Sequence, residues 1–264
     1  MDHRQQDLPH SSKRLRRPRG RLHFKDACRP EGSRPGIGLQ KIEESVMAKV
    51  FIIGAAGKVA RRLSRQLAQR GHHPVALHRK PEQASELAGL GATAVAGDLT
   101  KLMADELAGL MKGSDVVVFS AGAGGAGMEV TNAIDGRGLE LAAAAAQIAG
   151  ITRFLLVSAF PDALRDEKRS EGFENYIRVK RLADAHLVAT DLDWVIVRPG
   201  TLSDVPGTGK VSADLAIPYG EVPRDDVAAT LVQIIEQPTV SRIIIELTAG
   251  ETPIGKAIER LARR

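Results

Sequence analysis

The apolar run Val50-Phe51-Ile52-Ile53 leads straight into Gly54-Ala55-Ala56-Gly57-Lys58-Val59-Ala60, and a helix-like stretch follows from Arg61 to Arg70. A strand that ends in a glycine-spaced turn and opens a helix leaves few folds open, because it gathers backbone N–H groups and a helix N-terminus at one point. Such a point suits a pyrophosphate, so a dinucleotide is the first ligand to expect. Gly54 allows the tight exit from the strand, and Gly57 lets the main chain approach phosphates with no Cβ in the way. Ala60, third in a G-x-x-G-x-x-[GA] spacing, is small enough for close helix–strand packing. Gly54, Ala55, Ala56, Gly57, Lys58 and Val59 are therefore candidate cofactor contacts, with an ordinary βα turn as the alternative.

From Met47 onward, short β-branched runs alternate with helical periodicity, the mark of a parallel sheet covered on both faces. Strands are predicted at Lys49–Ile53, Pro74–His78, Thr93–Ala96, Asp115–Phe119, Arg153–Val157, Trp194–Arg198 and Ile243–Leu247. Helices are predicted at Val59–Arg70, Pro81–Leu90, Leu102–Met111, Thr131–Ala149, Phe173–Thr190, Arg224–Gln237 and Pro253–Arg263. Right-handed crossovers turn this order into an α/β fold: a doubly wound, mostly parallel sheet in a single domain over residues 47–264, with its cleft at the carboxyl ends of the strands.

The chain has 264 residues, 43% hydrophobic and 26% charged, enough for one large α/β core. Its net charge of +5 resides in residues 1–46, where 11 Lys and Arg face 6 Asp and Glu; from Met47 on, 26 of each cancel. The folded part thus gives no electrostatic case for nucleic acid or an anionic membrane as partner. Residues 1–46 are rich in Arg, Pro, Gly and Ser without periodicity and read as a disordered basic extension. Met47-Ala48-Lys49 begins where the first strand begins, so a start assigned too far upstream is one origin for it; a solvated tail and a basic arm are the others. The single cysteine, Cys28, excludes an internal disulfide and a cysteine metal cluster and fits a cytoplasmic location. No apolar run reaches the roughly 18 residues a membrane helix needs. Seven histidines without paired ligand spacing predict no metal, and Asp225-Asp226 reads as a helix N-terminal pair.

NAD-binding units place an acidic residue at the end of the second strand to take the ribose hydroxyls. Here that strand ends Ala76-Leu77-His78-Arg79-Lys80, with no carboxylate. Arg79, helped by Lys80, offers a planar fork of donors to a ribose 2′-phosphate, so NADP(H) is expected over NAD(H). Asp98 and Leu99 follow the third strand, where Asp98 can accept from an adenine amino group or cap the next helix. Ser120, Ala121 and Gly122 open a small, glycine-dense segment after the fourth strand that lets the backbone pass close to a cofactor.

The fifth strand ends at Ser158, and Tyr176 and Lys180 follow at i and i+4 on one helix face. An ammonium beside a phenol favours the phenolate, so Lys180 is expected to lower the Tyr176 pKa and make it an acid/base near neutral pH. Ser158 is placed to hold a substrate carbonyl oxygen. The polar segment 160–172 reads as a cover over the cleft or a solvated loop.

The turn Gly54 to Ala60, Gly97-Asp98-Leu99, Ser158, the Tyr176/Lys180 pair and Val197-Arg198-Pro199-Gly200-Thr201 together resemble the short-chain dehydrogenase/reductase superfamily, and within it the atypical, single-domain NAD(P)H-binding branch. The resemblance covers Met47 to Arg264. It implies Tyr176 as acid/base, Lys180 also on the nicotinamide ribose, Ser158 orienting substrate, and Pro199, Gly200 and Thr201 flanking the nicotinamide. Asn132, a proton-relay position in some relatives, stays outside the catalytic set. The long carboxyl-terminal domain of nucleotide-sugar epimerases has no counterpart. The implied function is NADPH-dependent hydride transfer to a small carbonyl-like substrate. A redox-sensing regulator of the NmrA-like kind, which generally lacks the Tyr/Lys pair, and a flavin or quinone reductase are the rivals. Oligomeric state is left open.

Overall fold

The computed structural model describes residues 47–163 and 170–263. The basic extension 1–46 and the middle of the expected cover, 164–169, lie outside the described residues.

The parallel part of the sheet consists of β1 (Lys49–Ile53), β2 (His73–His78), β3 (Thr93–Ala96), β4 (Val116–Phe119), β5 (Arg153–Val157), β6 (Asp193–Pro199) and, later in the chain, β10 (Ile243–Ala249). In space they lie in the order β3-β2-β1-β4-β5-β6-β10, all neighbours parallel. Strand order reverses between β1 and β4, and in doubly wound sheets the crevice at that reversal takes the ligand. The predicted doubly wound α/β fold is the observed one.

Alternation along β1 divides the core. Val50 and Ile52 face α1 (Lys58–Gln69), whose Val59, Ala60, Leu63 and Leu67 share one buried stripe, together with α2 (Gln83–Gly89), α7 (Arg224–Glu236) and α8 (Ile254–Ala262). Phe51 and Ile53 face the other way, onto α3 (Ala104–Met111) and α5 (Gly138–Ile148), with α6 (Glu171–Val188) on the same side. Each such side chain removed from water contributes about 1.5–3 kcal/mol, which fixes both helical layers.

Two expectations need correction. The helix predicted continuously over Thr131–Ala149 is in three parts: a short α4 (Met128–Thr131), a π-helical turn over Asn132–Arg137, and α5. The wider turn carries Asp135, which is buried and hydrogen-bonded inward rather than solvated. The segment 201–223, predicted without structure, forms three strands: β7 (Thr201–Ser203), β8 (Lys210–Asp214) and β9 (Glu221–Pro223). β8 adds antiparallel to β10, joined at its far side by β11 (Thr252–Pro253), while β7 and β9 make a separate parallel ribbon. β7 and β9, of three residues each, are too short to show a period. The ribbon is drawn tight at Gly200, where a Cβ would stand 1.9 Å from the Gly220 carbonyl oxygen.

Candidate functional site

The glycine turn closes β1 at the strand-order reversal. Gly54 has φ +80° and lies so close to the β4 exit that a Cβ would come within 2.4 Å of Ala121 Cα. Gly57 N–H donates to Gly54 O at 2.9 Å and forms the N-cap of α1, and no side chain caps that first turn. Its free N–H groups and the positive end of the helix therefore make an anion site.

Two cavities flank the turn, of about 400 and 650 Å³, and share Gly57 and Ser120 to Ala123. A ligand with two arms joined at a phosphate link fits this division. Gly54, Ala56, Arg79, Asp98 and Leu99 line the smaller cavity, with Gln83 as an addition. Asp98 accepts from Thr100 N–H at 3.0 Å and from its hydroxyl at 2.7 Å. That hydroxyl, opposed by partial burial and helped by Lys101 and Arg79, holds its carboxyl below the ordinary value. Asp98 thus closes a turn and caps no helix, since α3 starts six residues on at Ala104. Lys80 lines neither cavity; its ammonium lies 3.9 Å from Glu82.

Lys58, Val59, Ser158, Tyr176 and Lys180 all line the larger cavity. Ser158 and Lys180 are buried, Tyr176 half-buried. Ser158 Oγ donates to Asp184 Oδ1 at 2.6 Å, and Arg198 donates to Asp184 Oδ2 from Nε at 2.9 Å and from Nη2 at 2.8 Å. A hydroxyl has one proton; with it on Asp184, Ser158 presents only lone pairs to the cavity, which corrects its expected role as donor to a carbonyl oxygen in this geometry. Lys180 Nζ donates to Val157 O at 2.9 Å and lies 3.6 Å from Asp135 Oδ1, whose Oδ2 accepts from Ala123 N–H at 2.9 Å.

The expected depression of the Tyr176 pKa is also corrected. Burial first, then the carboxylates of Asp135 and Asp184 and the nearby Tyr219, push it up. Lys180 is held between Val157 O and Asp135, so its charge is largely cancelled.

Three expected contacts lie outside both walls. Pro199 ends β6; Gly200 is packed on Gly220; Thr201 shares a 2.6 Å hydrogen bond with Tyr219. Leu202 and Arg224 take the wall position instead. Ala55 is likewise a core residue beneath the turn.

A family model described as NAD(P)H-binding matches residues 54–238, from the first glycine to beyond α7. The chain belongs to the NAD(P)H-binding family. An uncharacterized sugar epimerase of Bacillus subtilis, YhfK, is 39% identical over 215 residues, covering 81% of this chain and all of the relative. Among solved structures, a Bacillus halodurans protein provisionally named an NAD-dependent epimerase/dehydratase superposes with TM-score 0.74 at 35% identity, covering 81% of this chain and 99% of that one. ChuY, an anaerobilin reductase of Escherichia coli O157:H7, superposes with TM-score 0.65 at 26% identity over 77% of this chain and 98% of its own. The resemblance to an atypical, single-domain Rossmann protein is thereby established, and the NAD(P)H-binding chain is an oxidoreductase/epimerase-like member.

Within this NAD(P)H-binding domain, reasoning from sequence missed Asp135, Asp184, Arg198 and Arg224. Asp184 had a signal: it lies at i+4 from Lys180 and i+8 from Tyr176, on the face of α6 that meets the cleft. Asp135 had none, because only the π-helical turn aims it at Lys180. Asn132, one turn earlier, accepts from Asn175 Nδ2 at 3.2 Å and ties the turn to α6. Asp225 and Asp226 both sit in the first turn of α7, yet neither caps it. Asp225 pairs with Arg62, and buried Asp226 accepts the N–H groups of Thr208 and Gly209, both at 2.9 Å.

Proposed function

We propose that this chain is an NADPH-dependent oxidoreductase that reduces a small carbonyl-like substrate, with Tyr176 supplying the proton. The observation that carries this reading is the joining of two cavities at the uncapped α1 turn: Arg79 stands in one wall and Tyr176 in the other. The bound nicotinamide would supply the hydride. The first-turn N–H groups of α1 would hold the pyrophosphate, Arg79 the 2′-phosphate, and the small residues Ser120 to Ala123 would let both halves pass.

Tyr176 carries its proton at neutral pH as any phenol does, and burial with the Asp135 and Asp184 carboxylates makes it a weaker acid still, so it would release that proton only to an oxygen as basic as the alkoxide that hydride delivery creates. Tyr176 would pass its phenol proton to the substrate oxygen and regain one from solvent. Lys180, held by Val157 O and Asp135, lines the same wall and would offer its remaining N–H to a ligand hydroxyl. No step here calls on a metal.

Calorimetric titration with NADPH and NADH, followed by a carbonyl and quinone screen, tests the reading. Tyr176→Phe is expected to cut turnover by about 10²–10⁴-fold while cofactor affinity persists. Full turnover in that variant, or no uptake of either cofactor by the native chain, would refute it. Quinone or flavin reduction that survives in Tyr176→Phe would instead identify a reductase that needs no tyrosine acid.

A further inference from the structure

Three cations converge on one carboxylate at the mouth of the larger cavity. Asp204, directly after β7, meets Lys58 Nζ at 2.6 Å, Arg224 Nη1 at 3.0 Å and Arg62 Nη2 at 3.4 Å. Arg62 is further held by Asp225 Oδ1 at 3.2 Å and by Lys58 O at 3.0 Å. Lys58 and Arg224 also line the cavity, and they share Asp204 between them. One positive charge at the wall is thus left over, beside the N-terminus of α1. The three cations come from two parts of the chain: Lys58 and Arg62 one turn apart on α1, and Arg224 at the start of α7, aligned by the β7–β9 ribbon.

We infer that Lys58 and Arg224, backed by Arg62, form an anion subsite for a phosphoryl group of the ligand, and that Asp204 is an internal anion which this group displaces. The arginine side chains are only 19% and 25% exposed, for Arg224 and Arg62, so their forks are already directed. Asp204, on the β7–β8 connection, is 47% exposed, so its carboxylate has solvent on one side into which it can be displaced. The cations hold its carboxyl below the ordinary carboxylate range, first through the Lys58 hydrogen bond. Lys58 and Arg224 together carry one positive charge more than Asp204 cancels, so a doubly charged ligand anion, the whole of a pyrophosphate link or a terminal phosphate, is held there more strongly than the single carboxylate, and this drives the exchange. The anion has two possible sources: the cofactor's pyrophosphate, in which case the inference rests on the function proposed above, or a terminal phosphate on the second substrate.

The test compares the native full-length chain with Asp204→Asn, Arg224→Gln and Arg224→Lys, titrated with NADPH over a range of NaCl and, separately, with inorganic phosphate read by thermal shift in the presence and absence of NADPH. If the cofactor supplies the anion, Asp204→Asn binds NADPH at least fivefold more tightly at low salt with a steeper salt dependence. Arg224→Gln moves both in the opposite direction, and Arg224→Lys recovers part of the loss. If the substrate supplies it, NADPH affinity is equal in all four proteins, while phosphate stabilises the NADPH complex in the order Asp204→Asn, native, Arg224→Gln. Phosphate sensitivity in that order, without uptake of NADPH or NADH by the native chain, would leave the subsite standing and remove the cofactor reading. Differences below twofold for both ligands across the four proteins would overturn the subsite.

Discussion

Asp184 takes the only proton of Ser158 across 2.6 Å while the guanidinium of Arg198 closes on its other oxygen. The serine is therefore held as an acceptor, and the carboxylate carries a structural load greater than the serine's own. Asp184 is buried and Arg198 largely so. Asp184→Asn, which strands the guanidinium, is expected to cost about 3 kcal/mol; Ser158→Ala, which removes one hydrogen bond, about 1 kcal/mol. Urea denaturation midpoints measure both, and equal costs would refute this division.

The raised Tyr176 pKa has a consequence at alkaline pH. Below the ordinary tyrosine value of 10.0, folded and unfolded chains both carry the proton and stability is unaffected. Above it the unfolded chain releases a proton that the folded chain retains, so stability falls as pH rises. Tyr176→Phe should flatten that fall. The chain has two tyrosines, so a Tyr219→Phe background isolates Tyr176 in a tyrosinate absorbance titration. Adding Asp135→Asn should move its titration to lower pH, since the Asp135 carboxylate is one of the groups that raise it.

Arg79 stands in the wall of the smaller cavity with no carboxylate at the end of its strand. Arg79→Ser should weaken NADPH binding by about 10–100-fold, the worth of a charged hydrogen-bonded contact, and leave NADH binding unchanged. Direct titration of both cofactors reads the ratio. An equal loss for both would assign Arg79 to the adenine face instead.

Gly54→Ala places a side chain at φ +80° and against the Ala121 backbone. The conformation alone costs about 1–2 kcal/mol, so melting should fall by about 5 °C, and uptake of dinucleotide should be lost because the turn must open. Calorimetry resolves the two effects.

The parallel sheet was legible because each of its strands is a short apolar run bounded by turn residues or charges. β1, β3 and β5 have the bounds expected from their sequences. The ribbon strands were not, since three residues such as Glu221-Val222-Pro223 carry no period and pair only through tertiary contact. At the site, Tyr176 and Lys180 could be recognised by their spacing along one helix. Their electrostatic setting could not, because Asp135 reaches them across 41 and 45 positions of sequence. The expected effect of Lys180 on Tyr176 failed for that reason: local spacing showed the cation, and the fold supplied the anion that cancels it. Arg198 lies within the segment that prompted the resemblance, yet its role is to hold Asp184 rather than to touch a ligand.

The π-helical turn over Asn132–Arg137 is one residue richer than an α-helical path between α4 and α5 would be. Deleting a single residue there would let the turn revert to an α-helical path between α4 and α5, displacing the residues of the turn itself and taking the Asp135 carboxylate off Lys180 and Ala123 together. One codon thus separates a lysine paired with a carboxylate from one held by the Val157 carbonyl alone, a short step that changes the charge of the cavity wall without rebuilding the core.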